Sequence, residues 1–185
     1  MRIIAGIAGR LAIKVPTAVA RPTTDFVRQA VFSILAERVA NARVLDLFAG
    51  SGALGLEALS RGAASCVFVD AHRQAAQVIN ANLTKSKLPG GRVVRDEVTA
   101  YLRRDPATYD LIFADPPYVK HPGDPDAIGT LLGGELLRPR LAADGWFVAE
   151  VAAHQPSPAA AGWSLVDRRE YGGSAILLYA PVISA

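Results

Sequence analysis

The residues best placed to do chemistry form the run Leu111-Ile112-Phe113-Ala114-Asp115-Pro116-Pro117-Tyr118. An apolar stretch of strand type leads straight into a carboxylate, two prolines and an aromatic ring. Each proline fixes its own φ and pushes the residue before it out of the helical region, so Asp115 and Pro116 are held extended and rigid. The Asp115 carboxylate and the Pro116 carbonyl then offer two acceptors to one crevice. Two acceptors suit the NH2 of a planar amine: guanine N2, adenine N6 or a carboxamide. The lone pair of such a nitrogen is delocalised, and accepting both of its N–H groups turns the lone pair towards an electrophile and stabilises the charge that develops. Pro117 completes the corner, and Tyr118 supplies a flat face for a base turned out of its stack.

A second cluster, Asp46-Leu47-Phe48-Ala49-Gly50-Ser51-Gly52-Ala53-Leu54-Gly55, lies where an apolar strand is expected to turn into a helix. Glycines there let the backbone approach a ligand and aim its amides at it. Gly50 to Gly55 matches G-x-G-x-x-G, and Asp70 follows Gly52 by 18 residues, where a carboxylate can accept from a ribose diol. Alone, this is also a dinucleotide fingerprint. Asp46 argues against that reading, because a carboxylate at the strand end repels a pyrophosphate and suits a cationic ligand with a free amine. S-adenosylmethionine (SAM) carries both a sulfonium and an ammonium. Asp96-Glu97, after the third strand, offers an acid to an adenine amino group or simply starts a helix.

These residues need a scaffold of alternating strands and helices, and from residue 43 the sequence has that pattern. Strand-length apolar runs are Val44 to Phe48, Cys66 to Val69, Arg92 to Val94, Leu111 to Ala114 and Trp146 to Val151. Helical patterns fall at Leu54 to Ser60, Arg73 to Leu83, Val98 to Leu102 and Ile128 to Leu137. Strands Ser164 to Tyr171 and Ser174 to Tyr179 flank Gly172-Gly173, a hairpin turn signal. Ahead of this body, Arg2 to Ala8 and Leu11 to Val15 read as a small hairpin around Gly9-Arg10. Thr23 or Thr24 then caps a helix with Val27, Ala30, Val31, Ile34 and Leu35 on its apolar stripe, leaving Arg28 off it. Residues 1 to 40 thus form a hairpin-and-helix extension, and residues 41 to 185 one compact α/β domain.

Composition narrows the function class. The chain has 185 residues, 51% hydrophobic and 20% charged, as in a soluble globular domain. Cys66 is the only cysteine, which excludes a disulfide framework and points to a reducing, intracellular compartment. As a lone Cys in an apolar run it is expected to be a small buried side chain, and Trp146 and Trp163 are expected to pack in the core or against an edge strand. The opening Met1-Arg2-Ile3-Ile4-Ala5-Gly6 is too short an apolar run for a signal peptide, and no stretch approaches a membrane helix. A cytoplasmic monomer is the expectation. His72, His121 and His154 are scattered without ligand spacing, so no metal is expected. Residues 1 to 30 hold Arg2, Arg10, Lys14, Arg21 and Arg28 against Asp25 alone, a local charge of +4 within a net +3. That arm is either a contact for a polyanion or a solvated basic edge.

The combination of Arg2-Ile3-Ile4 with Gly9-Arg10, Arg21-Pro22-Thr23-Thr24-Asp25 with Val27-Arg28, Asp46 to Ser60 with Arg61-Gly62-Ala63, and Asp115 to Tyr118 resembles the RsmD family of bacterial SAM-dependent methyltransferases. That family methylates the exocyclic N2 of a guanine in 16S ribosomal RNA. The resemblance implies the class I methyltransferase fold, a Rossmann-like seven-stranded sheet with the last strand antiparallel. It implies Asp115, Pro116, Pro117 and Tyr118 as the catalytic corner, and SAM held by Asp46, Phe48, Ala49, Gly50, Ser51, Gly52, Asp70, Ala71 and either Asp96 or Glu97. Arg10, Arg21, Thr24 and Arg28 would meet the RNA, as naked 16S rRNA or in the small subunit. Ala5, Phe26, Gln29 and Ser33 depart from the family pattern. Other readings are an adenine-N6 or protein-glutamine methyltransferase with the same corner, an NAD-dependent oxidoreductase, and a non-catalytic RNA-binding protein.

Overall fold

A computed structural model of the chain describes residues 1–17, 24–119, 121 and 123–182. Seven strands form one sheet: β1 (Arg43–Leu47), β2 (Ser65–Asp70), β3 (Gly91–Arg95), β4 (Tyr109–Ala114), β5 (Leu141–Ala152), β6 (Trp163–Tyr171) and β7 (Ser174–Pro181). Their order is β3-β2-β1-β4-β5-β7-β6, and only β7 runs against its neighbours. The central strands are largely apolar because both faces are covered, as parallel sheets require.

The helices are α1 (Asp25–Leu35), α2 (Ala53–Ser60), α3 (Arg73–Ser86), α4 (Val98–Arg104) and α5 (Ala127–Gly133). Strand residues alternate between two cores. Val44, Phe68, Phe113 and Val148 face α1, α2 and α3, while Leu45, Ile112 and Phe147 face α4 and α5. Cys66 is fully buried on the first face, where burial pushes its thiol up. Trp163 packs on Phe147 with ring centroids 5.9 Å apart, and Trp146 lies under the Arg38 guanidinium. Among the described residues no helix is long and apolar enough to cross a membrane.

Strand order reverses between β1 and β4. The parallel register pairs Asp46 with Phe113 and Leu47 with Ala114, so the loop after β1 and the corner after β4 leave the sheet side by side. A reversal of this kind opens the crevice in which open α/β sheets bind ligands.

Three details differ from the sequence reading. The N-terminal hairpin is reduced to a single antiparallel bridge, Arg2 to Ala12. Its first strand cannot extend, because the Ile4 and Ala5 amides donate to the Glu57 carboxylate and those of Ile7 and Ala8 bond Ser60. The buried stripe of α1 is Val27, Arg28, Val31, Phe32 and Leu35. It is rotated towards Arg28 and Phe32 because Phe32 meets Phe113 across the core at 5.8 Å. Helix α5 stops at Gly133, short of Leu137, where Gly133-Gly134 interrupts it.

Candidate active site

The loop after β1 turns sharply through Phe48 (φ 56°), Gly50 (φ 55°) and Gly52 (φ 76°). A left-handed phenylalanine is strained by roughly 1–2 kcal/mol, and residues of this kind cluster at functional sites. Ala49 and Ser51 are buried, Phe48 and Gly50 half-buried. Gly52 faces inward, since a Cβ on it would lie 3.2 Å from Ile79 and 3.3 Å from Phe68. At Gly55 a Cβ would come within 2.5 Å of Cys66 Sγ and closer still to the Phe68 ring. The third glycine therefore lets α2 lie close against β2.

Two carboxylates hold this loop. Asp46, at 2% exposure, accepts from the Gly55 amide at 3.0 Å. Burial raises its pKa well above the usual carboxylate range; the Gly55 bond opposes the shift, while the charges of Asp115 and Asp70 add to it. Asp70 accepts from the Gly50 amide at 2.8 Å through one oxygen and from the His72 amide at 2.8 Å through the other. In this structure it secures the loop and the start of α3, and an ionised carboxylate keeps lone pairs for a diol besides. Ala71 is exposed beside it. Of the two acids after β3, Asp96 is ion-paired with Arg104 at 2.6 Å, whereas Glu97 is exposed and its side chain has no partner among the described residues.

At the end of β4, Asp115 is half-buried, Pro116 buried and Pro117 exposed. The Tyr118 hydroxyl donates to Glu150 Oε1 at 2.5 Å and shares a hydrogen bond with Ser174 Oγ at 2.7 Å. Burial, followed by the Glu150 contact, holds its phenol well above the ordinary tyrosine range, so it stays a donor. The ring that sequence casts as a stacking face is thus also pinned by its hydroxyl to β5 and β7. Neither Glu150 nor Ser174 stands out in the sequence analysis. The available signal was an acid inside the buried run Phe147 to Ala152, at the same sheet end as Asp115.

The arm residues part company. Arg28 is fully buried, and its Nη2 donates to the Arg2 carbonyl at 2.6 Å and to Asp25 at 2.7 Å. This corrects its expected place off the apolar stripe: through Nη2 its guanidinium fastens the arm to α1. Thr24 Oγ1 accepts from the Val27 amide at 3.3 Å as the cap of α1. Arg10 is exposed at a left-handed turn next to Ala8, which bonds Ser60 at the far end of α2. That places it about 12 Å of helix from the glycine loop. Arg21 lies outside the described residues. Sequence reasoning missed Asn82, fully buried in α3, which bonds both backbone groups of Lys14 and the Ser51 carbonyl. It ties the arm to the glycine loop.

The arrangement is therefore an acidic crevice beside a rigid two-acceptor corner, with an N-terminal arm fastened to the helices behind it. It has counterparts. Over 98 residues the chain is 43% identical to the Escherichia coli protein named ribosomal RNA small subunit methyltransferase D; the stretch spans 53% of this chain and 50% of that relative. The chain thus spans about half the length of that curated relative. The solved structure of Escherichia coli YhhF, a provisionally assigned methyltransferase, superposes with a TM-score of 0.82 at 34% identity, covering 98% of this chain and 97% of that one. A more distant fold neighbour, 18% identical with a TM-score of 0.64 over 83% of this chain and 48% of its own, was solved in complex with SAH. A family model described as conserved hypothetical protein 95 matches residues 1–180, taking in the arm, the loop and the corner alike, and the chain belongs to that family, the RsmD family.

Proposed function

We propose that the chain transfers a methyl group from SAM to the exocyclic N2 of a guanine in 16S ribosomal RNA. The observation that carries this reading is the register that sets Asp115 and Pro116 beside the glycine loop, so that an amine held at the corner faces a cofactor held at the loop. The residues present fit SAM. The carboxylates of Asp46, Asp70 and Asp115 favour a cation and disfavour a pyrophosphate, and Glu97 is free to meet an adenine. When bound, SAM supplies an electrophilic methyl on a sulfonium.

The chain's own residues do the rest. Asp115 and the Pro116 carbonyl accept the two amine hydrogens, which frees the nitrogen lone pair and stabilises the developing positive charge. The prolines keep these acceptors from relaxing as charge develops. Tyr118, anchored through its hydroxyl, offers its ring to the flipped base. The relative's name, which refers to small-subunit ribosomal RNA, supports the substrate class. The exposed Arg10 and the basic arm suit a phosphate backbone.

The test is methylation of small-subunit RNA from a strain lacking the protein, with isotopically labelled SAM and nucleoside mass spectrometry. N2-methylguanosine is expected. N6-methyladenosine, or label on protein glutamine, would replace this reading with the corresponding transfer. A thermal shift with SAM but none with NAD is expected in parallel, and the reverse would remove the methyltransferase reading altogether.

A further inference from the structure

Glu150 has one oxygen more than the corner's known contacts use. Its side chain is buried at 6% exposure, Oε1 takes the Tyr118 hydroxyl, and Oε2 is buried with no partner among the described residues. A buried acceptor left in that state costs the desolvation of the group, so it calls for a partner, and a ligand that brings a donor is one way to supply it.

Its position says which ligand. The last pair of the β4–β5 register is Ala114 with Ala149, so Asp115 and Glu150 are the next residues along the two neighbouring strands at the same end of the sheet. Glu150 also lines the cleft formed by Pro116, Pro117 and Tyr118. The corner's two acceptors are committed to the two N2 hydrogens of the base. Guanine presents a third donor directly beside them, N1–H, whereas adenine presents an acceptor at N1.

Resting on the guanine-N2 reading, we propose that Glu150 Oε2 accepts the N1–H of the target guanine and so selects guanine over adenine at this corner. The Tyr118 hydroxyl, itself bonded to Ser174 Oγ, holds Oε1 from the other side, which fixes the direction of Oε2. Adenine in the same pose would set its N1 lone pair against the Glu150 oxygen, with no donor to satisfy it.

The competing account is that Glu150 merely positions Tyr118, and a double-mutant cycle separates the two. Turnover of small-subunit RNA at saturating SAM is measured for the wild type, Glu150→Leu, Tyr118→Phe and the double variant. Glu150→Gln is added as a shape-preserving check, and SAM affinity and melting are followed for each. Loss of a hydrogen bond to a charged group predicts about a tenfold to hundredfold fall for Glu150→Leu. The same fall is expected in the Tyr118→Phe background, with Glu150→Gln in between and SAM affinity unchanged. If Glu150→Leu costs nothing once Tyr118 is Phe, Glu150 acts only through Tyr118 and the proposal is overturned. A wild-type product other than N2-methylguanosine would instead overturn the reading beneath it.

Discussion

Replacing Glu57 by alanine tests whether the N-terminal arm is held to the body as the structure describes. Glu57 is fully buried in α2 and its carboxylate accepts three hydrogen bonds: from Ile4 N at 2.6 Å, Ala5 N at 3.1 Å and Arg61 Nε at 2.7 Å. Bonds to a charged group contribute about 1.5–3 kcal/mol each, but their plain sum overstates the loss. Arg61 is 24% exposed and regains water, and the two amides are rehydrated once the arm lifts. The expected cost is about 3 kcal/mol, at the lower end for breaking a buried ion pair. In a domain of this size that is a fall in Tm of roughly 6–12 °C. Because the lost bonds belong to the arm, hydrogen exchange should speed up at residues 3–13 more than in β1 or β4. Calorimetry and residue-resolved exchange measure both. A Tm within about 2 °C of wild type with unchanged arm exchange would refute the argument, since the arm would then be held by its apolar contacts and its bonds to Ser60, Asn82 and Arg28 without Glu57.

Asp115→Ala is expected to lower turnover by about 10² or more while SAM affinity stays near wild type, and Asp115→Asn to be milder because its amide oxygen still accepts one N–H; equal turnover in the Ala variant would take Asp115 out of the mechanism. Arg10→Ala is expected to weaken RNA binding across sequences and to flatten its salt dependence by about one unit of slope, with SAM binding unchanged; an unaltered slope would show that the RNA does not reach this end of α2. Arg43 holds the Asp110 carboxyl below its usual range, chiefly through the side-chain hydrogen bond at 3.0 Å. A depressed folded pKa stabilises above the unfolded value of about 3.9 and is lost as pH falls through the folded one. Asp110→Asn is therefore expected to destabilise by at most about 1 kcal/mol at neutral pH, the pair being partly exposed and screened, and to lose this effect in urea melts below pH 4.

The sequence by itself determined the sheet, the loop and the corner. Apolar runs of strand length mark buried parallel strands, Gly50, Gly52 and Gly55 mark a turn and a close helix, and Pro116-Pro117 fixes its own backbone. Each of these signals is local, carried by residue types a few positions apart, and each survives in the structure. What only the tertiary structure decided is how the polar side chains are spent. Glu57 meets Ile4 across 53 residues, Asn82 meets Lys14 across 68, and Tyr118 meets Glu150 across 32. Arg28 sits in a helix whose apolar spacing puts it at the surface, yet the chain before the helix folds over it and adds the Arg2 carbonyl to Asp25, its counter-charge one turn back in the same helix. Periodicity reports which face of an element is apolar, whereas a buried charge is tolerated only where a distant part of the chain brings a counter-charge or a hydrogen bond to it. Those distant contacts form when the elements pack, so the long-range partners of Arg28, Glu57 and Glu150 exist only in the folded chain.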